Sequence, residues 1–257
     1  MTAEQVGAAV VGGDLDGVLF DIDDTLVDTR SAFGTAMATV AAVYLPHVPA
    51  QQYAEVLAVW RRDAGGHYRA YTRGDLPFRR QRHLRANELQ ETFGGQPVAE
   101  EKFDAWDAVF EAAFEGAWTP HDDALAAIDA IVGAGVAVGA LSNASSGYQT
   151  RKLECAGLAH VPMLVGVDTL GFGKPDPRVF LEACRRLGTA PSRTLYVGDE
   201  LDFDARAALA AGLQAVWIDR PGSRRGGSYI EDPALAAGEG IRVVTTLAEI
   251  VPLVVEP

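Results

Sequence analysis

One apolar run stands alone near the start of the chain. Gly17 to Ile22, GVLFDI, is short, hydrophobic and closed by acidic residues, the pattern of a strand covered on both faces. All the other runs of this kind lie beyond Pro120. There the chain alternates regularly. A helix over Asp122 to Val132 leads to a strand over Val136 to Leu141, and a helix over Tyr148 to Cys155 to a strand over Met163 to Val167. A helix over Pro177 to Leu187 precedes a strand at Thr194 to Val197, and a helix over Asp204 to Ala211 precedes one at Ala215 to Ile218. A weak last strand follows at Arg242 to Thr245. Strand–helix alternation predicts an α/β fold, a parallel sheet with helices on both faces, whose crossovers are right-handed.

The lone first strand is cut off from its sheet by about 90 residues of helical sequence. Helices are predicted over Ser31 to Tyr44, Gln51 to Asp63, Asp75 to Phe93 and Val98 to Trp118, separated by Pro46, Pro49, Gly65, Gly66, Gly94 and Gly95. The simplest reading is an α/β core, 1–28 and 119–257, interrupted by an all-α insertion at 29–118. Both crossings, near Asp28 and Thr119, are the natural hinges of such an insertion. It is rich in arginine: Arg61, Arg62, Arg69, Arg73, Arg79, Arg80, Arg82 and Arg85. Arginine can clamp an anion, but charged helix residues mostly face water, and that is the expectation for each of these. Trp60, Tyr68, Tyr71, Phe78 and Trp106 read as the insertion's core. Residues 1–13 read as a flexible lead and Arg220 to Gly227 as a mobile polar loop.

The formal net charge is −13, which disfavours a broad nucleic-acid surface and binding to anionic membranes. No apolar run approaches the ~18 residues of a membrane span. The first residues carry neither the basic charge nor the apolar length of a secretory leader. Cys155 and Cys184 lack metal-ligand spacing and read as reduced thiols. The expectation is a cytoplasmic protein, monomer or homodimer.

In an open parallel sheet, ligands bind beyond the carboxyl ends of the strands. The first strand ends in Asp21, Ile22, Asp23, Asp24 and Thr25, and the second in Ser142 and Asn143. Gly173, Lys174 and Pro175 follow the third, and Gly198, Asp199 and Glu200 the fourth, with Asp202 and Asp204 close behind. Carboxylates, a hydroxyl and an ammonium are thus brought to one edge, the inventory for holding a divalent cation and a phosphoryl group together.

These four segments resemble the ordered motifs of the haloacid dehalogenase superfamily. LFDIDDTLVD, ALSNA, GFGKPDPRVF and VGDELDFD match them in sequence order over roughly residues 15–220, and the insertion resembles that superfamily's helical cap in kind. The resemblance implies a Rossmann-like core and a Mg2+-dependent phosphatase acting on a small phosphorylated metabolite. On that reading Asp21 is the nucleophile that forms an aspartyl-phosphate. Asp23 is the general acid and then the general base, and also a metal ligand through its carbonyl. Ser142 and nearby backbone amides hold phosphoryl oxygens, with Asn143 adding a donor. Lys174 neutralises phosphate charge. Asp199 completes the metal site with Asp21, and Asp204 stands behind the ion, orienting a metal-bound water or Lys174, with Glu200 and Asp202 as local rivals. Thr25 either holds the turn beside the acid or caps the next helix.

Each of these residues also has an ordinary role: a turn-capping Asp, a surface Lys, carboxylates at a helix entrance. Asp23 separates the chemistries within the superfamily. A departing halide needs no proton, whereas a departing alkoxide does, so an acid at this position favours ester hydrolysis. The alternatives are a phosphomutase using the same Asp pair and, from another class, a non-catalytic binding module.

Overall fold

The computed structural model describes residues 15–224 and 230–255. The expected flexible lead and residues 225–227 of the expected mobile loop lie outside them. The chain forms two compact units, Met1–Val27 with Pro120–Pro257, and Asp28–Thr119.

The first unit is built on six parallel strands: β1 Gly17–Phe20, β2 Ala137–Leu141, β3 Met163–Val165, β4 Thr194–Gly198, β5 Gln214–Ile218 and β6 Arg242–Val244. Their spatial order is β3-β2-β1-β4-β5-β6. β1 therefore lies between β2 and β4, with Phe20 opposite Ala140 on one side and Val197 on the other. The chain runs outward one way to β3, then crosses back to β4 and runs outward the other way. The crevice at such a reversal opens beyond the carboxyl ends of β1 and β4.

The crossovers carry α6 Ala124–Gly133, α7 Ser146–Cys155, α8 Val167–Leu170, α9 Pro177–Leu187, α10 Arg206–Ala210 and α11 Pro233–Gly238, with α12 Val251–Val255 at the end. α9 shows why such segments are helical. Asp176 caps its first turn by accepting from the Arg178 amide, Pro177 occupies the first position, and Gly188 closes it at φ 82°. Val179, Phe180, Ala183 and Cys184 form one buried stripe, and they pack with Leu19, Tyr196 and Trp217 of the sheet. Burying a side chain of Phe180's size stabilises the fold by about 1.5–3 kcal/mol.

Two predicted elements differ in kind. The third strand stops at Val165, and Val167 opens the one-turn α8 instead. The helix expected from Asp204 begins with a π-helical turn over Leu201–Ala205 before α10. At the root of the Arg220 loop the side chain is tied to its neighbours. Arg220 is mostly buried, pairs with Asp123 at 2.9 Å and donates to the Thr25 carbonyl at 3.1 Å.

The second unit contains α1 Thr29–Tyr44, α2 Tyr53–Arg62, α3 His67–Thr72, α4 Phe78–Thr92 and α5 Phe103–Glu115. Asp28 caps α1 through the Ser31 amide at 3.0 Å. Phe103, Trp106, Phe110 and Phe114 line the buried face of α5, with Trp106 and Phe110 stacked 6.0 Å apart and Trp60 against both. Phe78, expected in the core, is 40% exposed.

The expectation that the arginines face water fails for two of them. Arg82 is buried, paired with Asp107 at 3.0 Å and with Glu111, and lies 4.6 Å over the rings of Phe78 and Phe110. Arg85 lies 4.1 Å over Trp60 and donates to its carbonyl at 2.7 Å. Burial pulls Arg85 down to about 10, so it is still charged at neutral pH. A planar guanidinium can stack and pair at once, which keeps both groups inside. Among the described residues no helix is long and apolar enough to cross a membrane.

Candidate active site

β1 ends at Phe20, and the next residue leaves the ladder with one last tie, the Asp21 amide donating to the Val197 carbonyl at 2.9 Å. That bond aims the Asp21 side chain out of the sheet's carboxyl edge. The turn that follows is tight. Leu26 and Val27 both donate to the Ile22 carbonyl, and the Asp24 amide donates to the Val27 carbonyl at 2.8 Å. Asp24 takes φ 61°, a left-handed conformation that Asp tolerates better than most residues. Its carbonyl meets His121 Nε2 at 3.2 Å. Thr25 does not cap the next helix, since Asp28 does. Thr25 is fully buried within the turn, and its Oγ1 has no hydrogen-bond partner among the described residues.

Lys174 reaches across to this strand. Its Nζ donates to Asp21 Oδ1 at 2.7 Å and to Asp204 Oδ1 at 2.6 Å, and lies 3.1 Å from the Tyr196 hydroxyl. The Tyr196 hydroxyl in turn donates to Asp204 Oδ1 at 2.9 Å, and the Glu200 amide donates to Asp204 Oδ2 at 3.0 Å. Both oxygens of Asp204 are thereby engaged. Of the local rivals, Asp202 pairs with Arg206 at 2.5 Å, and the Glu200 backbone amide supports Asp204. Gly198 makes the approach of Asp204 possible, because a Cβ there would overlap the Asp204 carboxyl group. Asp199 is fixed through its carbonyl, which accepts from Trp217 Nε1 at 2.8 Å.

Asp21, Asp199 and Asp204 are all buried, and one carboxylate oxygen from each lies within 4.8 Å of the others. Three carboxylates and the Lys174 ammonium meet there. Burial pushes Asp21 upward, the Lys174 charge offsets part of this, and the charges of Asp204 and Asp23 add to it, so the carboxyl sits at about 7. Burial opposes the Lys174 charge as well, but Asp204 and Asp21 outweigh it and hold that ammonium well above its ordinary range. Three hard carboxylate oxygens this close together suit a divalent cation of the magnesium type.

Asp23 faces α7. One of its oxygens pairs with Lys152 Nζ, and the other accepts from Gln149 Nε2 at 2.6 Å. The same Gln149 nitrogen donates to Ser142 Oγ at 2.7 Å. Ser142, at the end of β2, also accepts from the Ala144 amide at 3.2 Å. Asn143, expected as a donor to substrate, does something else. Its Oδ1 accepts from the Lys174 amide at 2.6 Å and its Nδ2 donates to the Lys174 carbonyl at 3.1 Å. Its side chain is therefore a clamp on the backbone that carries Lys174, and Gly173 leaves room for it.

Tyr196, Gln149 and Lys152 were not singled out from the sequence. A tyrosine inside a buried strand needs a partner for its hydroxyl, and that was a readable signal. The spacing of Gln149 and Lys152 puts them on one helix face, but nothing in the sequence says that the face is buried.

The haloacid dehalogenase-like hydrolase family matches residues 15–212. The chain belongs to that family. It is 33% identical over 218 residues to the phosphoglycolate phosphatase of Shigella dysenteriae, covering 80% of this chain and 81% of that one. It is 45% identical over 87 residues to the phosphoserine phosphatase of Thermus thermophilus, a match spanning 34% of this chain and only 35% of the relative. Among solved structures, the L-2-haloacid dehalogenase of Xanthobacter autotrophicus superposes with a TM-score of 0.71 at 20% identity, over 93% of this chain and 98% of the other. At that identity the likeness is one of fold. The parallel α/β core expected from the alternation pattern is the family's core.

Proposed function

We propose that this hydrolase is a Mg2+-dependent phosphatase that cleaves a small-molecule phosphate monoester through an aspartyl-phosphate on Asp21. The observation that carries the proposal is the buried cluster in which Lys174 bridges Asp21 and Asp204 beside Asp199, with a second carboxylate, Asp23, two residues from the first. Asp21, Asp199 and the Asp23 carbonyl would hold the ion, with Asp204 braced behind them. A bound magnesium supplies positive charge against the phosphoryl oxygens and keeps Asp21 ionised.

The chain's own groups do the rest. An oxygen of Asp21 attacks phosphorus while the ester P–O bond breaks, and the Asp23 carboxyl gives its proton to the departing oxygen. Asp23, now a carboxylate, takes a proton from the water that attacks the phospho-aspartate. The P–O bond to Asp21 then breaks and inorganic phosphate leaves. Lys174 and Ser142 offset the charge on the phosphoryl oxygens, which is where catalysis of this transfer mainly resides. Asp23 favours ester cleavage over dehalogenation, because it supplies the proton that an alkoxide needs and a halide does not.

Substrates of the relatives, phosphoserine and phosphoglycolate, define where a panel should start. Free thiols at Cys155 and Cys184 fit a reducing compartment such as the cytoplasm. The test is phosphate release from these and other monoesters with magnesium. The native protein should turn over, and Asp21→Asn should fall by at least ~10⁴-fold, as loss of a covalent nucleophile requires. Equal turnover by Asp21→Asn would refute the proposal. An isomeric phosphate without free phosphate would identify a mutase.

A further inference from the structure

We propose that Lys152 and Gln149 of α7 are positioning residues for Asp23, locking its carboxylate in the orientation that serves the leaving group. The inference rests on the phosphatase reading above and extends it to two residues outside the four motifs.

Three observations carry it. Both residues are buried, with Gln149 0% and Lys152 2% exposed, although each would ordinarily face water on a helix. Each takes a different oxygen of Asp23, so the plane of the carboxylate is fixed, not merely its charge balanced. Gln149 uses its second N–H on Ser142 Oγ, which ties the acid to the end of β2 through one rigid amide. Burying a lysine costs free energy that a surface lysine would not incur. The Lys152 ammonium is paired with Asp23 and lies 5.5 Å from the centre of the Tyr148 ring, so the charge of Asp23 offsets part of that cost. A group delivering a proton must be held in a near-attack geometry, and a carboxylate fixed at both oxygens meets that requirement.

Two esters nearly matched in shape separate this role from simple structural support. Phenyl phosphate releases a weakly acidic phenol and depends on the proton from Asp23, whereas 4-nitrophenyl phosphate releases a good leaving group and depends on it far less. For Lys152→Met, kcat on phenyl phosphate should fall about tenfold more than kcat on 4-nitrophenyl phosphate, part of the 10²–10⁴ that general acid catalysis supplies, with KM for both little changed. Gln149→Leu, which keeps the volume, should shift the ratio the same way. In an Asp23→Asn background Lys152→Met should cost nothing further, since its effect passes through the carboxylate.

The ratio between two esters on one sample is independent of how much protein has folded, so a destabilised variant still gives a reading. Equal losses on both esters, or additive losses in the double variant, would overturn this proposal and leave the phosphatase reading standing. Phosphate release by the native protein from neither these esters nor any monoester of the panel above would overturn both.

Discussion

Gly198 shows how much a single atom decides in this site. With no Cβ, it lets the carboxyl group of Asp204 come within hydrogen-bonding reach of Lys174 and Tyr196. Gly198→Ala should therefore displace Asp204, destabilise the protein by about 1–3 kcal/mol as overpacking does, and lower kcat by more than the stability loss explains. Urea unfolding together with phosphate release would check both, and a variant of native stability and rate would show that Asp204 is free to move. Tyr196→Phe removes the hydroxyl alone, and leaving buried partners short of a hydrogen bond should cost about 1–3 kcal/mol. The motif residues Asp21 and Asp199 were legible because each directly follows a strand, where an apolar run gives way to a charge, and Lys174 because it lies in the segment GFGKPDP ahead of α9. Asn143 was legible as a site residue but not in its job: its letter says donor and acceptor, and only the fold shows both ends turned to the Lys174 backbone. Lys152 and Arg82 were illegible for one shared reason. A charged residue on a helix gives no sign of which way its face points, and α7 has too few apolar residues to set the phase.

Between elements, the turn after β1 is held from the far side of the sheet. Arg220, just beyond β5, donates to the Thr25 carbonyl and pairs with Asp123 ahead of α6, and Asp123 also accepts from the Leu247 amide at 2.8 Å. Burial would raise the Asp123 carboxyl, but the bonds from Arg220 and Leu247 outweigh it and hold the group below its usual range. A carboxyl depressed in the fold contributes stability at pH values above its unfolded value and loses it as pH falls through the folded one. Asp123→Asn should thus destabilise the protein by about 1–3 kcal/mol at pH 7, as loss of charge-assisted bonds does, and the difference from native should shrink towards pH 3. Thermal melts of the two proteins at both pH values would show it, and a gap that stays constant would mean the charge of Asp123 is irrelevant. None of this was visible in the sequence, because RPGSRRGG has the composition of a loop and composition does not reveal which loop residue is anchored. The π-helical turn at Leu201–Ala205 was hidden likewise. A helix start was expected at Asp204, and the extra residue in the turn is a matter of backbone geometry that letters do not encode.

At the scale of the whole molecule the parallel sheet was legible because its strands are short apolar runs spaced by helices. The order β3-β2-β1-β4-β5-β6 follows from right-handed crossovers once the lone first strand is taken into the middle. What the site adds to that scale is a buried carboxylate cluster, and on the magnesium reading it should make stability depend on pH and metal together. Asp21 is raised to about 7 from an ordinary 3.8, so between those values the folded protein holds a proton that the unfolded chain has lost. Stability then falls as pH rises through this window, by on the order of a few kcal/mol for one such group. The depressed carboxyls, such as Asp123, are ionised in both states across pH 5–8 and add no slope there. Magnesium needs the ionised carboxylate, so its stabilisation, about 2.7 kcal/mol at a hundredfold excess over Kd, should be larger at pH 8 than at pH 5. Melting the chelator-treated protein and the magnesium-loaded protein at both pH values tests the pair of signs. The metal-free Tm should drop between pH 5 and 8, magnesium should restore most of the loss, and Asp21→Asn, which carries no titrating group there, should flatten the metal-free slope. A metal-free Tm that rises over the same interval, or a magnesium increment larger at pH 5, would show that the titrating proton does not reside on Asp21.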